Sequence, residues 1–271
     1  MQKYSLFSLI KNAFSNHQNW EVAWKDPTPK KEYDVIIIGG GGHGLATAYY
    51  LAKEHKITNV AIIEKGWIGG GNVGRNTTIV RSNYMHDENG LFSEFGMNLW
   101  RNMSQDLNFN VMFSPRGIIN LAHSDAQMNV YSRRGNSMLL NGIDAVLLNR
   151  EQVKEIIPMA DFSDNVRFPI FGGLMQPSAG TARHDAVAWG YARQADAMGV
   201  DIIQNCEVVD FDVSGGKIKG VRTSKGDIKA NKIGLCVAGS TNFLAEKLNM
   251  TLPIETHLLQ ACVSEPIKPI L

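Results

Sequence analysis

The feature that most limits how this chain can fold is Gly39-Gly40-Gly41-Gly42-His43-Gly44, set directly after the apolar run Tyr33-Asp34-Val35-Ile36-Ile37-Ile38. A strand running into a glycine-rich turn and then a helix, here His43 to His55, opens a βαβ unit. A second strand, Asn59 to Ile63, follows and ends on an acid, Glu64. Each part answers a physical need. Gly39, Gly41 and Gly44 permit positive φ and close backbone approach, and a helix N-terminus offers unpaired N–H groups to a pyrophosphate. The acid lies about twenty residues past the last glycine, where a carboxylate accepts from ribose hydroxyls. Glutamate rather than arginine at position 64 argues against a 2′-phosphate, so the expected ligand is FAD or NAD and not NADP. The bland alternative is a glycine-rich turn with no ligand.

The βαβ unit spans Tyr33 to Lys65. Before it, Met1 to Gln18 is mildly amphipathic (Tyr4, Leu6, Phe7, Leu9, Ile10, Phe14) and is joined by the proline-rich linker Asp26 to Lys31. This arm precedes the first core strand, so it is expected to pack on the outside or on a partner. Gly66 to Ser82 has neither helical nor strand periodicity. Beyond it, helices are expected over Asp87 to Met103, where Leu91, Phe95 and Leu99 recur at four-residue spacing, and over Asp125 to Leu140. A short helix opens at Asn149-Arg150-Glu151-Gln152 and ends at Pro158, and a longer one runs from His184 to Met198. Expected strands are Gly117 to Ala122, Val166 to Met175 with interruptions at Pro169 and Gly172-Gly173, Ile202-Ile203, and Ile233 to Val237. Glu207 to Phe211 is expected to pair with Lys217 to Thr223 through Ser214-Gly215-Gly216.

This order describes an α/β (α+β) protein, a Rossmann-like nucleotide-binding domain interrupted by a substrate-side insertion with helices and a mixed or antiparallel sheet. The expected boundaries are an arm and linker at 1–32, the nucleotide domain at 33–84 and 184–271, and the insertion at 85–183. A domain split this way usually closes with another strand and helix. The chain stops at Pro269-Ile270-Leu271 soon after a strand-like run, so a C-terminally incomplete domain is expected.

Composition closes off other classes. A net charge of +1 gives no electrostatic footprint for nucleic acid or an anionic membrane. No apolar run approaches the roughly 18 residues of a membrane span. Cys206, Cys236 and Cys262 lie far apart without CxxC spacing, which reads as reduced, buried thiols in a cytosolic protein. The histidines show no metal-ligand spacing, and no HExxH or Ser-His-Asp signature appears, so no metal site is expected.

Two stretches are suited to chemistry. Gly69-Gly70-Gly71-Asn72 follows the acid, and the chain then stays polar through Arg75, Asn76, Thr77, Thr78 and Arg81. Such a stretch can wrap an extended dinucleotide, or it is a surface loop. Arg75 and Arg81 are its only cations, and each is either a bidentate partner for a substrate carboxylate or a solvated charge. His184 opens a helix, where the dipole favours a neutral imidazole that can act as nucleophile or ligand, and a capping or packing role is the alternative.

Taken together, Gly39 to Gly44 with its preceding strand, Gly70-Gly71-Asn72 with Arg75-Asn76-Thr77-Thr78-Ile79, and Gly180-Thr181-Ala182-Arg183-His184-Asp185-Ala186-Val187-Ala188-Trp189 resemble the beta subunit of heterotetrameric sarcosine oxidase. The resemblance runs from the linker onward. It implies a glutathione-reductase-like FAD domain joined to a substrate domain, as in relatives of D-amino-acid oxidase. It further implies oxidation of the N-methyl carbon–nitrogen bond of sarcosine at noncovalent FAD. Electrons would pass to FMN, held covalently on His184, and then to oxygen, giving glycine, hydrogen peroxide and formaldehyde. With tetrahydrofolate bound to the alpha subunit, the carbon would leave as 5,10-methylenetetrahydrofolate. The implied partners are the alpha, gamma and delta subunits, in the cytoplasm.

By the same resemblance, Gly42, His43, Glu64, Asn72, Thr77 and Ile79 match FAD-contacting positions, Val208 matches a main-chain contact to the adenine, and Arg81 matches the arginine that holds the substrate carboxylate. Gly39, Gly41, Gly44, Lys65, Arg75, Asn76 and Thr78 complete the expected cofactor-binding set. Two departures matter. The family's C-terminal glycine-rich segment, with a lysine for flavin and substrate, has no counterpart before Leu271. Thr78 stands where monomeric relatives place an arginine that promotes oxygen reduction, which moves the expected oxygen reaction to the FMN. The alternatives are a noncatalytic or truncated flavin-binding fragment, a related dimethylglycine or sarcosine dehydrogenase, and an NAD-dependent dehydrogenase, which leaves 66–82 unexplained.

Overall fold

The computed structural model describes residues 5–18, 22–260, 262 and 265. In chain order the first half contains α1 (Leu6–Phe14), β1 (Glu32–Ile38), α2 (Gly42–His55), β2 (Val60–Ile63), β3 (Ile79–Val80), α3 (Asp87–Asp106), β4 (Ile118–Ala122) and α4 (Asp125–Leu140). The second half adds β5 (Val146–Asn149), α5 (Arg150–Ile156), β6 (Gly172–Gln176), β7 (Gly180–Thr181), α6 (His184–Ala197), β8 (Asp201–Ile203), β9 (Val208–Ser214), β10 (Lys217–Thr223), β11 (Gly226–Leu235) and α7 (Thr241–Glu246). The chain divides into two compact units. Of the described residues, one takes those up to Asn76, Gln105–Val111 and 184–260, and the other takes Thr77–Ser104, Met112–Arg183, Cys262 and Glu265.

The first unit is built on a six-stranded sheet in the order β8-β2-β1-β11-β10-β9. β8, β2, β1 and β11 are parallel neighbours, while β11, β10 and β9 form an antiparallel meander. Central parallel strands must be apolar on both faces, and β2 (Val60-Ala61-Ile62-Ile63) is buried throughout. Tyr33, Ile36, Ile38, Ala61, Ile63, Ile203, Phe211, Val221 and Ile228 make one continuous core. α2 packs with α6, and the rings of Tyr49 and Tyr191 meet edge-on at 5.3 Å between centroids. The linker is pinned to the sheet. Tyr33 donates its hydroxyl to Asp201 at 2.9 Å and accepts from the Lys30 amide at 3.0 Å, while Lys30 pairs with Asp201 at 2.7 Å. Burial pushes the Tyr33 phenol up to about 12, which keeps it a donor.

The second unit carries a three-stranded antiparallel sheet, β4-β6-β5, and the two-stranded β3-β7 pair. Leu174 on β6 is buried with Met138 and Ile143, and Leu148 is buried with Val153 and Ile170. Asn149 caps α5 with a reciprocal capping box to Gln152, as the opening Asn-Arg-Glu-Gln predicts.

Several expectations change. Val166 to Met175 is strand only from Gly172, because Pro169 cannot donate to a ladder. The four-residue spacing in α3 does not mark its buried face. Leu91 and Phe95 are exposed, and the helix buries Gly90, Met97 and Met103 instead. Gly90 sets that face, since a Cβ there would come within 3.2 Å of Ile143. Gly66 to Ser82 is not wholly irregular, because Asn72–Arg75 forms a 3-10 turn and β3 lies at its end. Of the cysteines, Cys206 is buried, Cys236 is half-buried with its thiol pushed up by burial, and Cys262 is exposed. Residues 251–260 form no strand. Tyr4 of the arm and the Pro269–Leu271 end lie outside the described residues. Among the described residues no helix is long and apolar enough to cross a membrane.

Candidate cofactor and substrate sites

In the register of the sheet, Ile38 of β1 stands beside Ile63 of β2 and Leu235 of β11. These three parallel strands therefore end together, and ligands of open α/β sheets bind outside such carboxyl ends. Gly39 leaves β1 with φ +108°, and a Cβ there would sit 2.3 Å from the Cys236 carbonyl oxygen. Gly44 is tighter still, since its Cβ would lie 2.0 Å from the Gly39 carbonyl oxygen. Gly44→Ala is thus expected to lower the stability of the first unit by about 3 kcal/mol, the upper end for overpacking. Denaturant midpoints read this, and a midpoint equal to the parent's would refute the contact.

The N-cap of α2, Gly41, has no side-chain cap, which leaves the first-turn amides without a side-chain acceptor. A Cβ on Gly41 or Gly42 would meet only Val73, at 3.8 and 3.4 Å. This glycine-lined concavity with outward amides fits a pyrophosphate. Glu64 completes it. Its two carboxylate oxygens accept from the Gly40 amide at 2.7 Å and the Gly66 amide at 2.8 Å, which fixes the carboxylate and leaves lone pairs for ribose hydroxyls. Glu64→Gln is expected to weaken dinucleotide binding by roughly 1.5–3 kcal/mol, the range for hydrogen bonds to a charged group. Unchanged FAD occupancy on dilution would remove Glu64 from the ribose role.

The second glycine-rich loop is tied onto the first. The Gly69 amide donates to Gly40 O at 3.0 Å and the Gly74 amide to Gly69 O at 2.9 Å, so Val73 of the 3-10 turn faces the start of α2. Asn72, Arg75 and Asn76 lie exposed on or next to this turn, and His43 in the first turn of α2 and Lys65 after Glu64 are exposed as well. α6 passes against the same loop, because a Cβ on Gly69 would lie 3.6 Å from Ala188 Cβ. His184 is one turn before Ala188. Its Nδ1 is buried and has no hydrogen-bond partner among the described residues. Such an orphan costs about 1–3 kcal/mol unless something outside the chain satisfies it. The Cys206 amide donates to Glu64 O at 2.9 Å, so the chain enters β9 beside the acid with Val208 two residues further on.

Thr77, Thr78, Ile79 and Arg81 belong to the second unit. Thr78 has φ +63°, an outlier for a β-branched residue, and its carbonyl accepts from the Ala182 amide at 3.0 Å. Arg81 donates from Nη1 to Asn83 Oδ1 at 2.7 Å and lies over the Tyr84 ring at 5.2 Å. Asn83 is fully buried, donates from Nδ2 to Asn120 Oδ1 at 2.6 Å, and accepts at its carbonyl from Arg134 Nε at 2.5 Å and from Arg134 Nη2. Burial, then the charge of Arg81, pulls the Arg134 guanidinium below its ordinary value. Among the described residues neither Arg81 nor Arg134 pairs with a carboxylate. Next to them Gln176 accepts from the Ser82 amide at 3.0 Å and donates to Ser82 Oγ at 2.7 Å, and Ser82 Oγ donates to Glu94 at 2.7 Å. Sequence reasoning missed this polar cluster. Only Asn83 carried a signal, standing two residues from Arg81 where an extended chain repeats its side.

A Rossmann-type sheet whose parallel strands end on a glycine cradle and a ribose-type carboxylate defines a dinucleotide-binding protein. The FAD dependent oxidoreductase family matches residues 34–270, and the chain belongs to it, a flavoprotein oxidoreductase with the FAD-binding fold of that group. It is 58% identical over 267 residues to the sarcosine oxidase subunit beta of Rhizobium meliloti (strain 1021), covering 98% of this chain and 64% of that protein. It is 51% identical to the sarcosine oxidase subunit beta of Rhodobacter capsulatus, covering 99% of this chain and 65% of that one. The chain thus spans a little under two thirds of the length of these relatives. Among solved structures, the L-proline dehydrogenase of P. horikoshii superposes with a TM-score of 0.77 at 26% identity, covering 84% of this chain and 58% of that one.

Proposed function

We propose that this chain acts as a sarcosine oxidase beta subunit, with FAD in the Gly39–Glu64 cradle, FMN joined covalently to His184, and the sarcosine carboxylate held by Arg81. The observation that carries the reading lies within the first unit, where the glycine cradle is accompanied by a histidine whose buried Nδ1 has no hydrogen-bond partner among the described residues. Similarity to relatives named sarcosine oxidase subunit beta supports the substrate. The proposed overall reaction takes sarcosine, oxygen and water to glycine, formaldehyde and hydrogen peroxide, with tetrahydrofolate on the alpha subunit taking up the carbon. Alpha, gamma and delta subunits are the proposed partners and the cytoplasm the proposed location. The bound flavins would supply the two-electron acceptor chemistry that no side chain provides.

The chain's own residues have narrower tasks. First-turn amides of α2, around Gly42 and His43, would bind the pyrophosphate, and Glu64, already fixed by two backbone donors, would accept from ribose. Residues of the second loop, including Asn72 and Asn76, would hold the dinucleotide along its length, and Thr77, Thr78 and Ile79 would present backbone to it. Val208 would meet the adenine through its main chain, with Lys65 and Arg75 at the rim. Arg81 would orient the substrate by its carboxylate, a charge that is costly near a flavin unless paired. We take residues 33–84 and 184–271 as the FAD-binding part and 85–183 as the substrate part. The test is acid precipitation of the subunit co-expressed with its partners. A pellet that keeps flavin fluorescence supports the covalent link, and a colourless one rules it out.

A further inference from the structure

The second unit holds two guanidinium groups around one buried asparagine. Asn83 uses every polar group of its side chain and its carbonyl. Oδ1 accepts from Arg81, Nδ2 donates to Asn120 Oδ1, and the carbonyl oxygen accepts from Arg134. The residue is fully buried, so its polar groups depend on partners inside the fold. Like charges near one another repel, and Arg81 and Arg134 have no carboxylate between them to offset this. Arg134 is spent on a backbone carbonyl, to which it donates from Nε and Nη2. Arg81 donates to Asn83 from Nη1, and no other hydrogen bond of its guanidinium is made among the described residues. One edge of the fork is therefore anchored to a neutral acceptor, which fixes the plane without consuming the charge.

We infer that Asn83 is a positioning residue for substrate binding, holding the Arg81 guanidinium in a fixed plane by a neutral acceptor while Asn120 and Arg134 fix Asn83 itself. The inference rests on the proposed role of Arg81 as the carboxylate partner. An aspartate at position 83 would still accept from Arg81, but it would neutralise the fork and lose the Nδ2 donor that ties the residue to Asn120. The neutral amide leaves the positive charge available to a carboxylate-bearing amine. Arg134 adds a second positive charge near Arg81 while its Nε and Nη2 are turned to the Asn83 carbonyl. Asn120 sits on β4, whose ladder with β6 pairs it with Leu174, so the support reaches into the sheet.

The test uses the subunit in its complex, with Asn83→Ala and the near-isosteric Asn83→Asp, each alone and combined with Arg81→Ala. Sarcosine KM, kcat, flavin content and thermal midpoint are measured for all. Asn83→Ala is expected to raise KM about ten-fold, the scale of one lost hydrogen bond to a charged group, with kcat within about two-fold and flavin content unchanged. Asn83→Asp, which keeps the shape and the acceptor for Arg81 but loses the Nδ2 donor to Asn120, is expected to raise KM by at least as much, because the new carboxylate pairs with Arg81. In the Arg81→Ala background both effects on KM should vanish, since the two residues act as a unit. A KM that rises equally with or without Arg81 would overturn the inference, as would an Asn83→Asp complex with the parent KM. If Asn83→Ala fails to fold, the Asn83→Asp pair decides alone. An unchanged KM for Arg81→Ala by itself would instead bring down the underlying assignment of Arg81.

Discussion

His184→Asn is expected to strip the covalent flavin from the subunit completely while leaving noncovalent FAD at its parent occupancy. His184 Nδ1, at the first position of α6, is a buried nitrogen without a hydrogen-bond partner among the described residues. Folded chains satisfy such atoms, and a bond to a flavin carbon would satisfy this one. Asparagine keeps a polar side chain at the helix start but has no imidazole nitrogen to carry the bond. The FAD cradle is made elsewhere, by Gly39 to Gly44 and by Glu64, whose carboxylate is held by the Gly40 and Gly66 amides. Losing His184 should therefore not disturb it. The measurement is flavin fluorescence in an acid-precipitated pellet, set beside FAD released to the supernatant. Pellet fluorescence should disappear and supernatant FAD should stay equimolar with protein. Loss of both flavins together would mark His184 as a folding residue.

How much of this was legible in the sequence follows from which contacts are local. The cradle was legible because its parts are adjacent: a β-branched run, glycines, a helix and an acid fall within one βαβ unit, and β1, α2 and β2 form close to the expected bounds. α4 runs over the expected Asp125–Leu140, with Ser124 as its cap. β11 was only half legible. Its second half is apolar enough to read as a strand, but Gly226 to Lys232 is polar and becomes strand by pairing with β10, with which Lys229 stands opposite Gly220. The face of α3 was misread because a glycine, not the Leu-Phe stripe, makes the close approach. The Asn83 cluster joins residues 81, 83, 120 and 134, and no spacing rule connects an arginine to a carbonyl 51 positions away. Likewise the orphaned Nδ1 of His184 is a property of packing, invisible until the helix is placed.

Arg81→Lys is expected to raise the sarcosine KM by about one to two orders of magnitude, equivalent to roughly 1.4–2.7 kcal/mol of lost binding. The substitution keeps the charge, so the cost comes from geometry. Arginine offers a planar fork whose Nη1 is already anchored to Asn83 Oδ1 at 2.7 Å and whose face lies over Tyr84. With one edge anchored, the remaining donors of the fork hold a fixed direction and can take both oxygens of a carboxylate. Lysine has a single ammonium on a flexible stem. It can reach Asn83 or the carboxylate, but it cannot present two parallel donors to one while held by the other. kcat should fall less than KM rises, because a weakly held substrate still reacts once bound. Flavin content should match the parent, since the cradle residues Gly39 to Glu64 belong to the other unit. The assay is steady-state oxidation of sarcosine by the complex, with flavin quantified spectroscopically in the same samples. A normal KM accompanied by lost FAD would move Arg81 from the substrate to the cofactor. An unchanged KM with full flavin would leave the substrate carboxylate to another cation, and Arg134, already turned to the Asn83 carbonyl, would be the first to test.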